Sequence, residues 1–220
     1  MRLAIFDFNG TIFPRETLPF LLGQWYGQGR SRTKLVRVFL FLLPLYLRYI
    51  ISADSDYREE MKAGMVYRFS TIFDGMDYHE ILEYFQNAAE EAGKYYNQKI
   101  VEEIKKTGAE GYHTVLLSGA FKLLVENVGN DLNFDTVIGS EFSFDKGVIN
   151  RALKLVSGVS KMSSLLEVFP PDQIDWKDSC AYADSIGDLE ILEYVGHPVA
   201  VSPDRELRNI ARERGWPIIE

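Results

Sequence analysis

Leu3 to Phe6 is a short unbroken apolar run that ends in a carboxylate, and few folds accommodate that combination. A run with apolar residues on both faces fits a central strand of a parallel sheet covered on both sides. Asp7, Asn9, Gly10 and Thr11 follow within five residues. They fall at the carboxyl end of the strand, where open α/β sheets bind ligands. Asp7 has no sequence neighbour to neutralise it. Its removal from water must be offset by a metal, another cation or a reaction. Taken alone, the stretch also fits a polar turn without chemistry.

The pattern downstream decides between these readings. Residues 14–111 read as helical, with segments at 18–26, 33–51, 56–69, 77–92 and 95–107. Asp77 and Glu80 have capping-box spacing, and Gly93 and Gly108 read as helix stops. From His113 the texture changes. Strands are expected at 113–119, 136–139, 179–183 and 198–201, with a possible edge strand at 216–219. A hairpin is expected over 142–149 with Asp145-Lys146-Gly147 as its turn. Helices are expected at 120–127, 160–168, after Asp188 as far as Tyr194, and at 204–214. Pro170-Pro171 breaks the helix at 160–168.

Alternation of strand and helix implies an α/β fold: a Rossmann-like, doubly wound parallel sheet. The first strand must join that sheet. Residues 1–14 and 108–220 therefore read as the core domain, and 15–107 as an α-helical cap inserted after the first strand.

Composition narrows the class. With 46% hydrophobic and 25% charged residues the chain is globular in character. A net charge of −8 argues against nucleic acid as a partner. The lone Cys180 rules out an internal disulfide and fits a reducing compartment. The N-terminus lacks the pattern of a signal peptide. The longest apolar run, residues 38–47, contains Pro44 and falls short of the roughly 20 residues a membrane span needs. The expected location is the cytoplasm.

Three strand ends bring polar groups to one rim: Asp7 with Asn9, Ser118 with Gly119, and Asp184 with Asp188. Lys161, at a helix start, joins them; Lys146 and Lys154 are its rivals. Clustered carboxylates repel unless a cation sits among them. Mg²⁺, a hard ion that takes oxygen ligands and substrate phosphate, suits this set.

Together these residues resemble the haloacid dehalogenase superfamily, in its phosphoserine phosphatase-like branch (subfamily IB). Asp7-Phe8-Asn9-Gly10-Thr11 is similar to the first motif and Leu116-Leu117-Ser118-Gly119 to the second. Lys161 is similar to the third, and residues 181–188, ending in Gly187-Asp188, to the fourth. The resemblance implies a Mg²⁺-dependent phosphatase with an aspartyl-phosphate intermediate on Asp7. It implies Asp7, Asp184, Asp188 and the backbone carbonyl of Asn9 around the metal. Gly10, Thr11, Ser118, Gly119 and Lys161 would hold the phosphate.

Position 9 departs from the family, which carries a second Asp there as general acid and base. An amide can neither give nor take that proton, and losing such a group costs typically 10²–10⁴-fold. Asn9 is either the natural residue or a replacement that arrests turnover. The expectation is a phosphatase impaired at position 9, acting on a small or lipid-like phosphorylated metabolite. The alternative is a catalytically silent protein that binds a phosphate ligand on the same fold.

In the cap, Glu16 stands where phosphoserine phosphatases hold the substrate amine. Arg68 is a candidate for the substrate carboxylate, with Arg58 nearby. Residues 34–51 are apolar almost all round a helical wheel. Such a helix is buried, or it meets a partner or a membrane. Burial in the cap is the favoured reading. Arg30, Arg32, Lys34 and Arg37 leave contact of 30–51 with a membrane surface as the alternative.

Overall fold

The computed structural model describes the chain apart from residues 53–54, 146–147 and 157, and apart from the side chains of 55–60, 145, 148, 150–153, 158 and 159. The proposed hairpin turn and Lys146 thus lie outside the described residues, as does the side chain of Arg58.

A seven-stranded sheet runs through the molecule. β1 (Leu3–Phe6) is central, flanked in parallel by β2 (His113–Phe121) and β5 (Cys180–Ala183). β3 (Thr136–Asp145) lies beyond β2, and β4 (Val148–Lys154) closes that edge antiparallel. β6 (His197–Val201) and the two-residue β7 (Ile218–Ile219) extend the other side. The order is β4-β3-β2-β1-β5-β6-β7. The winding reverses between β1 and β5, and the crevice at that reversal is where doubly wound sheets bind ligands. Phe6 pairs with Leu116 on one side and Tyr182 on the other, so the polar residues that follow all three strands reach one rim.

The pleat explains the two apolar layers. Ala4, Phe6, Leu116 and Tyr182 face one side, and Leu3, Ile5, Val115, Leu117 and Ala181 the other. The second layer is covered by α7 (Gly158–Val168), α8 (Leu189–Tyr194) and α9 (Arg205–Arg214). The first is covered by α4 (Tyr78–Gly93), α5 (Gln98–Ala109) and α6 (Lys122–Leu132). β1 is followed by α1 (Thr17–Gly27), α2 (Arg32–Ile51) and α3 (Ser55–Ser70) before α4 begins. α2 packs on α3 and α1, and α3 descends onto the 3-10 turn at 186–188. Trp25, Phe73, Tyr84, Phe85 and Phe121 join the helices of 15–107 to the sheet layer in one continuous aromatic cluster.

Several boundaries differ from the sequence pattern. β2 continues through Ser118 and Gly119 to Phe121, so α6 starts at Lys122 rather than at 120. The extension is held because the Ser140 hydroxyl donates to the Gly119 carbonyl at 2.8 Å and accepts the Val156 N–H at 3.0 Å. α5 passes Gly108 to end at Ala109, and the chain turns instead at Gly111, whose φ of 80° suits a residue without Cβ. The last strand shrinks to Ile218–Ile219 because Pro217 has no N–H to offer a ladder.

Three of the basic residues before and within α2 make contacts inside the chain. The Arg30 guanidinium lies 5.3 Å from the Tyr84 ring and donates to the Glu80 carbonyl. Lys34 donates to the Asp74 carbonyl at 2.7 Å, and Arg37 faces the Asp74 carboxylate at 3.7 Å. No helix among the described residues is long and apolar enough to cross a membrane.

The capping box is formed as its spacing requires: Asp77 Oδ1 accepts the Glu80 N–H at 2.9 Å, and Glu80 Oε2 accepts the Asp77 N–H at 3.2 Å. Asp77→Ala is expected to lower stability by ~1 kcal/mol, read as a lower urea midpoint at unchanged m-value.

Candidate active site

The rim is built from four segments. Asp7 follows β1 directly, its N–H bonded to the Tyr182 carbonyl at 3.0 Å. Asp184 follows β5, and Asp188 occupies the N-cap of α8. Lys161 projects from the first turn of α7 and donates to Asp7 Oδ1 at 2.7 Å and to Asp188 Oδ1 at 2.5 Å. Asp7, Asp188 and Lys161 are buried, and oxygens of Asp7, Asp184 and Asp188 lie within 4.8 Å of one another.

Local backbone makes this proximity possible. Gly10 has φ +73°, and a Cβ there would stand 2.0 Å from Asp184 Oδ2. Gly is therefore required twice, for the left-handed turn and for the carboxylate above it. The loop carrying Asp184 is pinned from behind by Asp204. That carboxylate accepts N–H groups of Ile186 and Leu207 at 3.0 and 2.8 Å, and the Asp204 N–H donates to the Asp184 carbonyl at 2.8 Å. Gly119 is likewise constrained, since a Cβ would meet the Val156 carbonyl at 2.9 Å.

Electrostatically the cluster is short of positive charge. When all are ionised, the three carboxylates outnumber the Lys161 ammonium that bridges two of them. Burial raises the Asp7 carboxyl to about 6, against the pull of Lys161 and with the push of Asp188. Burial, then repulsion from Asp7 and Asp188, raises Asp184 to about 8, although Lys161 and Lys62 oppose it. Burial would lower Lys161, but Asp188 and Asp7 outweigh it and hold the ammonium charged. A divalent cation with hard oxygen preference would neutralise this set, so the residues fit Mg²⁺.

Asn9 sits at the edge of the rim, its Oδ1 accepting from the Thr17 hydroxyl. That bond turns the amide nitrogen the other way, as a donor without a transferable proton. Gly119 reaches the open surface, but Ser118 does not: it is fully buried, and its Oγ accepts the Ala120 N–H at 3.1 Å. Thr11 is also fully buried, and its Oγ1 has no hydrogen-bond partner. Neither residue is among those that line the cavity above the rim.

Above the rim opens a cavity of about 580 Å³. Its polar floor is Asp7, Asn9, Gly119, Lys161, Asp184 and Asp188. α1 contributes Leu18, Pro19 and Leu22 to the wall, and α2 contributes Phe39, Leu42, Leu43, Tyr46 and Tyr49. α3 contributes Lys62, Ala63, Met65 and Val66. Glu16 stands at the cavity edge, exposed. Arg68 is not brought there. It lies two residues past Val66, off the lining face of α3, where it donates to the Phe41 carbonyl at 2.9 Å and covers the Phe41 ring. The sequence pattern gave no signal for Lys62 or Val156, since their roles depend on which face of each segment meets the rim.

Comparison with known proteins agrees with this architecture. Residues 4–193 match the family model of haloacid dehalogenase-like hydrolases. A Streptomyces azureus protein named for inhibition of morphological differentiation is 28% identical over 228 residues, covering 99% of this chain and 77% of that one. A Bordetella pertussis structure of unknown function superposes with a TM-score of 0.80 at 19% identity, over 100% of this chain and 98% of the other. A substrate-bound phosphoserine phosphatase gives a TM-score of 0.62 at 16% identity, over 100% of this chain and 92% of that one.

Removing Lys161 leaves buried carboxylates uncompensated, a defect that typically costs ~3–5 kcal/mol. Lys161→Ala is expected to lose stability of that order in chelator and to regain part of it in Mg²⁺, read by urea unfolding in both buffers. Gly10→Ala should weaken the Mg²⁺-dependent rise in melting temperature, because the added Cβ displaces Asp184.

Proposed function

The chain belongs to the haloacid dehalogenase-like hydrolase family, and on that footing we propose that it is a Mg²⁺-dependent phosphomonoester hydrolase in which Asp7 is the nucleophile. The observation that carries the reading is the Lys161 bridge between Asp7 and Asp188, set beneath a ligand-sized cavity. Asp7, Asp184, Asp188 and the carbonyl of residue 9 would hold the metal, which when bound supplies charge neutralisation for an anionic substrate.

The chain's own groups account for the rest. The Asp7 carboxylate attacks phosphorus, forming the O–P bond of an aspartyl phosphate as the bond to the leaving alkoxide breaks. Lys161 uses two of its three N–H donors on Asp7 and Asp188, leaving one for a phosphoryl oxygen. The Gly119 N–H and Lys62 border the same space. Water then attacks phosphorus and releases Asp7 and inorganic phosphate. Both steps move a proton at the leaving or entering oxygen, and Asn9 can orient that oxygen but cannot carry the proton. We take residues 15–107 as the cap, with α1, α2 and α3 as the part that covers the site.

The bond from Thr17 to Asn9 favours a second reading, a silent binder of a phosphate ligand, because it satisfies the amide in place. Phosphate release by this chain and by Asn9→Asp separates the two. A gain of about 10²–10⁴-fold in Asn9→Asp, abolished by Asp7→Asn, is the expected outcome. Silence of both chains, with Mg²⁺ and phosphate still bound, would establish the binder instead.

A further inference from the structure

Resting on that reading, we propose that the ligand is a phosphomonoester carried on a long apolar chain, and that the cavity between α1, α2 and α3 houses the chain. Interiors close-pack with few voids larger than a water molecule. A cavity of about 580 Å³ walled by leucines and aromatics is of ligand size, not a packing defect.

Its chemistry is segregated. The charged groups gather at one end, on the sheet rim. Lys62 belongs to that end, since its charge acts on Asp184. Away from it the wall is Leu18, Leu22, Leu43, Tyr46, Val66 and Leu155. A substrate whose body is an ammonium and a carboxylate would need partners along this wall. Glu16 stands exposed at the edge, and Arg68 faces away from the cavity. Hydrocarbon has no such requirement and gains from the burial.

α2 explains the shape. Phe39, Leu43, Tyr46 and Tyr49 recur at helical spacing and line the cavity together. Phe39 and Tyr46 remain 51% and 44% exposed, which puts them where the cavity meets solvent. The outer side of the helix also leaves Val36, Leu40, Leu47 and Ile50 exposed. A chain drawn from a bilayer and a soluble chain present the same chemistry to the cavity, and the experiment separates the two sources.

The test is calorimetric titration in Mg²⁺ with inorganic phosphate, phosphoserine, and alkyl phosphates of increasing length kept below micelle formation. Affinity is expected to rise about fourfold per methylene until the cavity is full, with phosphoserine binding no tighter than inorganic phosphate. Ala63→Phe should shorten the chain length at which the rise stops, read within that variant as a ratio to its own phosphate affinity. Neutral phosphatidylcholine vesicles with and without a long-chain alkyl phosphate supply the second arm. Capture only by the doped vesicles assigns a bilayer source, and capture of soluble alkyl phosphate alone assigns a free one; both support the proposal. Phosphate binding that is flat with chain length, or tighter phosphoserine, would overturn it while leaving the phosphatase reading intact. Failure of every phosphate compound to bind, inorganic phosphate included, would overturn both.

Discussion

The Lys161 ammonium is held between two buried carboxylates, and the site is arranged around that contact. Its partners come from distant parts of the chain: Asp7 is 154 residues away and Asp188 is 27. The contact ties α7 to the end of β1 and to the start of α8. It also leaves a third carboxylate, Asp184, crowded beside the pair, and burial with repulsion from Asp7 and Asp188 pushes its carboxyl up to about 8. A buried excess of one sign is costly unless function supplies the counter-charge. Crowded carboxylates of this kind are the oxygen donors a hard divalent cation takes.

The cluster depends in turn on backbone that only small residues allow. Gly10 lets Asp184 approach the first turn, and Gly119 lets the Val156 carbonyl approach β2. Ser140 and Asp204 act from behind, bonding the loops that carry these groups. Ser140 and Asp204 do not line the cavity. They set the distances between groups that do.

How much of this was legible varied by element, for physical reasons. β1 with its terminal Asp7, the capping box at Asp77 and the order of rim residues were readable, because each is a local pattern. The extent of β2 was not, since its last residues stay extended only through Ser140 on a neighbouring strand. Arg68 was a candidate only because it lies near Gly64, where the family spacing falls, and in the fold its guanidinium donates to the Phe41 carbonyl. Ser118 and Thr11 were assigned to the phosphate by the family resemblance, and a local pattern could not show that both would be fully buried.

By itself the sequence determined the α/β class, the family, the four rim segments and the missing carboxylate at position 9. These follow from local composition and order along the chain, which survive without coordinates. Only the tertiary structure decided that Lys161 bridges Asp7 and Asp188, that Thr17 holds Asn9, and that one side of α2 lines a cavity while the other stays exposed. A helix apolar all round has no direction written in its periodicity. Its orientation is set by the neighbours it packs against, and those neighbours are brought together only by folding.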